Sequence, residues 1–196
     1  MRIKFSEEEL IHLLHAWAAI SFAFAVVFSG GFQGLGPDFF QNMLVASVTV
    51  GLAFLLHELA HKVLAQKYGC WAEFRKFNLG LILAVVMSFF GFVIAAPGAV
   101  MISGLISNEQ NGKISAIGPL TNIVLALLFF TVGIFIQPGM PFWVYLVVLY
   151  GFKINAFLAF FNMLPIPPFD GSKIMAWSMP TWVAIAAVSG AIVFFL

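Results

Sequence analysis

Six apolar stretches, separated by short polar or Gly/Pro-rich connections, organise the chain. The polar residues 1–9 lead into a run from Leu10 to Phe28, and Ser6 followed three positions later by Glu9 is a capping-box signature that opens its helix. Gly30–Asp38 is a turn-rich connection. The second run starts near Phe39 and has neither Gly nor Pro from Leu52 to Tyr68, which predicts one helix through that stretch, ended by Gly69. Residues 70–78 (CWAEFRKFN) read as a surface loop or short strand. A third apolar run covers 79–96, and a Gly-rich, polar stretch covers 97–113, within which Ala99–Ile102 is strand-like. The remaining runs are 114–136, 142–164 and 181–196, with the tight turn Gln137–Pro141 between the first two.

Runs of this length fit the roughly 20 residues that a helix needs to cross a bilayer, and composition agrees. Of 196 residues, 62% are apolar and 9% are charged, against about 45–50% and about 25% in soluble domains. So few charges cannot cover a soluble globule, and a net charge of +1 excludes a nucleic-acid binder. One cysteine, Cys70, excludes a disulfide framework or a cysteine metal cluster. The expectation is an all-α, multi-pass membrane protein forming a single domain over 1–196, with no appended soluble domain. The run 10–28 resembles a signal peptide, but its acidic leader and its length argue for a retained span.

Basic residues set the orientation. Arg2 and Lys4 precede the first run, and Lys62, Lys67, Arg75 and Lys76 follow the motif in the second, whereas 29–38 and 137–141 carry none. The amino terminus and the 62–78 loop are therefore expected on the cytoplasmic side. Two topologies remain at this level: six crossings, or five full spans with 79–96 as a re-entrant hairpin.

The candidate chemistry lies in His57-Glu58-Leu59-Ala60-His61, an HExxH motif. On a helix, positions i and i+4 share a face, so both imidazoles can bind one zinc ion, and Glu58 is placed to take a proton from metal-bound water. By chance the motif would occur in roughly a few such chains per thousand, and an unpaired Glu within an apolar run is expensive without a function. A catalytic zinc needs a third protein ligand and an open position. Glu7–Glu9 are accounted for as the acidic first turn of a helix, and Glu73 and Glu109 as solvated loop residues. Asp38 lies about 28 Å along the helix from His57. Asp170 differs, because three prolines in Pro165-Ile166-Pro167-Pro168 break the backbone just before it and Gly171 permits a sharp turn. It is the best third ligand.

The pair HELAH (57–61) and NMLPIPPFDG (162–171), with IGPLTN (117–122) between them, resembles the site-2 protease family of intramembrane zinc metalloproteases over roughly residues 40–175. Phe169 stands where that family usually has Leu, and the apolar insert 79–96 is longer than the family's loop there. The resemblance implies zinc held by His57, His61 and Asp170, with Glu58 as general base for attack of zinc-bound water on the scissile carbonyl. It also implies that Asn162 helps hold substrate or the tetrahedral intermediate, and that Asn122 lies near the catalytic helix, a candidate substrate contact. The substrate would be a transmembrane protein or peptide segment, locally unwound, with 70–78 and 98–103 offering a strand edge.

The motif also selects between the topologies, because Asp170 reaches the depth of His57 only if 79–96 re-enters and 142–164 returns to the motif's side. Lys62, one residue after the motif, then marks the interface. Of the remaining features, His12 and His15 are one turn apart on the first span, suited to interhelical hydrogen bonding or to a gate. Gly118-Pro119 is expected to start a span, and Lys153 stands in mid-span and needs a partner or a water path. A metal transporter using His57, His61 and Asp170 is the alternative in a different class, and it has no need of Glu58.

Overall fold

The computed structural model describes residues 3–33, 36–93 and 97–196. Helix α1 (Glu7–Phe28) begins at Ser6, whose hydroxyl accepts the Glu9 N–H. The reciprocal half of the capping box is not made. The Glu9 carboxylate turns inward instead, accepting the Phe74 N–H at 2.8 Å and a proton of the Lys62 ammonium, which also donates to the Ala72 carbonyl. Glu9 and Lys62 are both fully buried. Two charges tolerate such burial only when paired and hydrogen-bonded, as here. Lys62 is therefore no interface marker, and Glu9 is more than a helix-start charge: the pair ties the start of α1 to the motif helix and to the first strand.

The second run is one continuous 29-residue path made of α2 (Phe39–Ala46), a π-helical stretch Ser47–Gly51, and α3 (Leu52–Lys67). The widened turn leaves the Ser47 carbonyl free to accept the Trp17 indole N–H of α1 at 3.1 Å. Gly51 admits that ring, since a Cβ there would fall 2.6 Å from it. Gly69 ends the helical path as expected, with a φ of +83° that a side chain disfavours.

Strands β1 (Trp71–Lys76) and β2 (Gly98–Ser103) pair antiparallel, in register from Trp71↔Ser103 to Lys76↔Gly98. Helix α4 (Asn78–Ser88) lies between them. The Phe77 N–H donates to the Pro97 carbonyl at 3.0 Å, so the segment leaves the sheet and returns to it at one point. At 11 residues α4 is about 16 Å long, half of the roughly 30 Å hydrocarbon core. Six crossings would need residues 77 and 97 on opposite sides of the bilayer, which that hydrogen bond forbids. Residues 94–96 of the expected hairpin lie outside the described residues.

Helix α5 (Asn108–Ile134) starts six residues before the expected run, behind a complete capping box of Ser107 and Gln110. Gly118 and Pro119 therefore lie inside this helix rather than at its start, because the cap at Ser107 supplies the helix beginning. Helices α6 (Phe142–Phe161), α7 (Asp170–Trp177) and α8 (Met179–Phe195) follow. A core of Ile123, Ala126, Ala156, Ala159, Met163 and Ile174 joins α5, α6 and α7, and α5 also packs on α3. Among the described residues, four helical segments, α1, α2–α3, α5 and α6, are long and apolar enough to cross a membrane. The fifth expected span is α8, whose 17 residues give about 26 Å, at the short limit for a span.

Candidate metal centre

Helix α3 carries His57 and His61 one turn apart on its α5-facing side, with ring centroids 4.7 Å apart. Nε2 of His57 lies 3.2 Å from Oδ2 of Asp170, and Nε2 of His61 lies 3.1 Å from the same oxygen. All three residues are buried, and their ligand atoms fall within 4.8 Å of one another. Bonds of 2.0–2.1 Å around a tetrahedral zinc place ligand atoms about 3.3 Å apart, so this donor set fits the ion with one position left for a further ligand.

Asp170 reaches the cluster through the broken backbone after α6. It is the first residue of α7, where the helix dipole favours a carboxylate. The Gly171 N–H donates to the Asn162 carbonyl at 2.7 Å, and a Cβ on residue 171 would lie 2.3 Å from the Met163 carbonyl oxygen. Close backbone approach, rather than a positive φ, is thus what requires glycine here.

Both imidazoles are oriented from behind. Nδ1 of His57 donates to Oδ1 of Asn122 at 2.6 Å, and Nδ1 of His61 donates to the Ile114 carbonyl at 2.6 Å. With Nδ1 protonated, each ring presents the lone pair of Nε2 to the cluster. Asn122 is fully buried and donates in turn to Asn155 on α6 and to the Ala53 carbonyl. It is therefore turned to His57 and closed to a substrate, since all its amide groups are engaged inside the bundle. Pro119, inside α5, has no N–H for the Ser115 carbonyl. The Ile114 carbonyl, one residue earlier, receives His61.

Gly118 faces the ligands directly. A Cβ at this position would fall 2.5 Å from His61 Nε2 and 2.6 Å from His57 Nε2, where the ion would sit. The sequence reading missed this role, although IGPLTN drew attention to the segment. Gly118 leaves room for the ion, and Asn122 clamps His57.

Glu58 projects beside the cluster from α3, half-buried, and its Oε2 accepts the Val100 N–H of β2 at 3.1 Å. The Asn162 side chain donates to the Leu158 carbonyl of its own helix, so what Asn162 contributes near Asp170 is its backbone carbonyl. His12 lies 4.0 Å from Glu8, and His15 faces Lys76 at 3.0 Å, both apart from the cluster. Cys70 is a buried free thiol. A cavity of about 360 Å³ lined by Lys4, Gln66, Cys70 and Glu73 holds none of the cluster residues.

The Asn122 clamp carries a prediction. Asn122→Ala removes the acceptor that fixes the His57 ring, and zinc affinity is expected to fall about 10–100-fold. Asn122→Asp, which keeps an acceptor, is expected to retain most of that affinity. Competition with a chromophoric chelator measures both. Equal affinity in all three proteins would remove Asn122 from the metal centre.

A Methanocaldococcus jannaschii protein named "Putative zinc metalloprotease" is 42% identical over 185 residues, covering 93% of this chain and 91% of the relative. No family model and no solved structure matches the chain.

Proposed function

Because this chain belongs to the zinc metalloprotease family of that relative, we propose that it is an intramembrane endopeptidase of the site-2 protease type, hydrolysing peptide bonds in transmembrane segments of other proteins. The observation that carries this reading is the convergence of His57, His61 and Asp170, with Glu58 beside them, on a helical path apolar enough to cross a bilayer. A soluble metalloprotease has no need to bury its ligands in such a helix.

Zinc bound here would supply a Lewis acid for the scissile carbonyl and for the ionisation of water. His57, His61 and Asp170 would hold it, with Asn122 and Ile114 fixing the ring orientations. Glu58 accepts the proton of the attacking water and returns it to the leaving amine. The outer edge of β2 lies beside Glu58, as the Val100 N–H shows by its direction. A substrate unwound into an extended strand would add to that edge, and a substrate carbonyl taking the Val100 N–H would free Glu58 for the proton transfer. Sidedness follows the basic residues, which place the amino terminus and the site toward the cytoplasm.

The test is cleavage of a labelled transmembrane peptide by the purified protein in lipid vesicles. Activity lost to a chelator and restored by zinc supports the reading, and no cleavage of any transmembrane peptide overturns it. Asp170→Ala is expected to lower bound zinc from one equivalent to near zero, by elemental analysis, and to abolish cleavage. Unchanged stoichiometry would remove Asp170 as a ligand.

A further inference from the structure

Lys153 is exposed halfway along α6, one of the four segments able to span the membrane. It lies 11 residues after Phe142 and eight before Phe161, or about 16 Å and 12 Å from the two helix ends. A lysine stem extends only about 6 Å, so snorkelling alone does not bring its ammonium to either end. The opposite side of α6 carries Asn155, which reaches into the bundle toward Asn122. Lys153 therefore points away from the bundle, with no carboxylate within ion-pair distance among the described residues.

The surface around it has a regular form. Leu149, Lys153, Phe157 and Phe161 recur every fourth residue, all exposed, making an apolar stripe with one cation in it. The stripe leads toward the metal centre: Phe157 stacks on Phe161, and Phe161 packs edge-on against Phe169, the residue before Asp170.

A second copy of this chain cannot supply the missing anion. Its acidic residues are Glu7, Glu8 and Glu9 at the start of α1, Asp38 before α2, Glu73 and Glu109 in ion pairs outside the spans' centres, and Glu58 and Asp170 at the site. None stands exposed at mid-depth. Ionisable groups at that depth face a partner or water.

We propose that the α6 face formed by Leu149, Lys153, Phe157 and Phe161 docks the transmembrane helix of a substrate that carries an Asp or Glu at mid-membrane depth. Lys153 pairs with that carboxylate and fixes the helix in register, so that its motif-side end lies beside Phe169 and the metal centre. The inference rests on the protease reading given above and adds to it a specificity determinant remote from the ligands.

The experiment compares three transmembrane peptides in phosphatidylcholine vesicles, alike except for Asp, Asn or Lys at the midpoint. With the zinc-loaded protein, the Asp peptide is expected to show a KM about 3- to 30-fold below that of the Asn peptide, the span of interhelical polar pairs in membranes, with kcat unchanged. Lys153→Met erases that ratio, and Lys153→Glu transfers the preference to the Lys peptide. The same Asp-to-Asn ratio in wild type and Lys153→Met overturns the proposal. A second readout needs no catalysis: Leu149→Cys on a Cys70→Ala background is crosslinked to an Asp peptide bearing a cysteine one turn from its acid. Crosslinking lost in the Asn peptide supports docking, whereas crosslinking only between two copies of the chain, or equal crosslinking of both peptides, overturns it. Absence of cleavage with acid-dependent crosslinking sinks the protease reading and leaves the docking face standing.

Discussion

Glu58→Gln lowers cleavage of a transmembrane peptide by about 10²–10⁴-fold and leaves zinc content unchanged, which is the separation expected of a general base that is not a ligand. The amide is nearly isosteric with the carboxylate, and its oxygen can still accept the Val100 N–H that now binds Glu58 Oε2. What it cannot do is accept a proton from water. His57, His61 and Asp170 hold the metal position without help from residue 58, so elemental analysis of the variant reads one equivalent of zinc as in wild type. The same substitution separates a protease from a metal transporter, which would keep its permeation ligands and lose nothing with Glu58. Cleavage that survives Glu58→Gln overturns the endopeptidase assignment.

The second large effect comes from a residue with no functional group. Gly118→Ala puts a methyl carbon 2.5 Å from His61 Nε2 and 2.6 Å from His57 Nε2. Both imidazoles are held from behind by Asn122 and Ile114, so neither can retreat without breaking a buried hydrogen bond. Zinc affinity is expected to fall by more than the about 100-fold that loss of an outer hydrogen-bond partner causes. Alanine is the better helix former by about 1 kcal/mol, so the helix itself gains from the change. Overpacking works against that gain, typically by about 1–3 kcal/mol. Gly133→Ala in the same helix is the control, because its Cβ would meet only Val148 at 3.2 Å. It should retain zinc and activity. Circular dichroism establishes that both variants stay helical, and zinc retained by Gly118→Ala would show that the ion does not occupy the space before Gly118.

Much of the architecture was legible because the bilayer and the helix impose simple periods. The apolar runs located α1, the α2–α3 path, α5 and α6, and the strand-like residues Ala99–Ile102 indicated β2. The residue-level errors share one cause. Glu9 and Lys62 were placed by local rules, a helix start and a membrane interface, yet they are 53 positions apart and find each other in the interior. Once they pair there, the local preferences lose, since an unpartnered buried charge costs far more than an unfilled cap. Asn122 was set near the catalytic helix by resemblance, but only the packing of α5 between α3 and α6 turns it to His57 rather than to a substrate.

The sequence by itself determined a helical membrane protein and an HExxH face, because helix periodicity acts over neighbours along the chain. It also singled out Asp170, because charges are so scarce that each one needs a reason. Tertiary structure alone decided that Gly118 leaves the ion its space and that Glu58 lies against the edge of β2. Those are distances between segments 42 to 61 residues apart. They are fixed by close packing and by the satisfaction of buried hydrogen bonds, and no pattern along the chain encodes them.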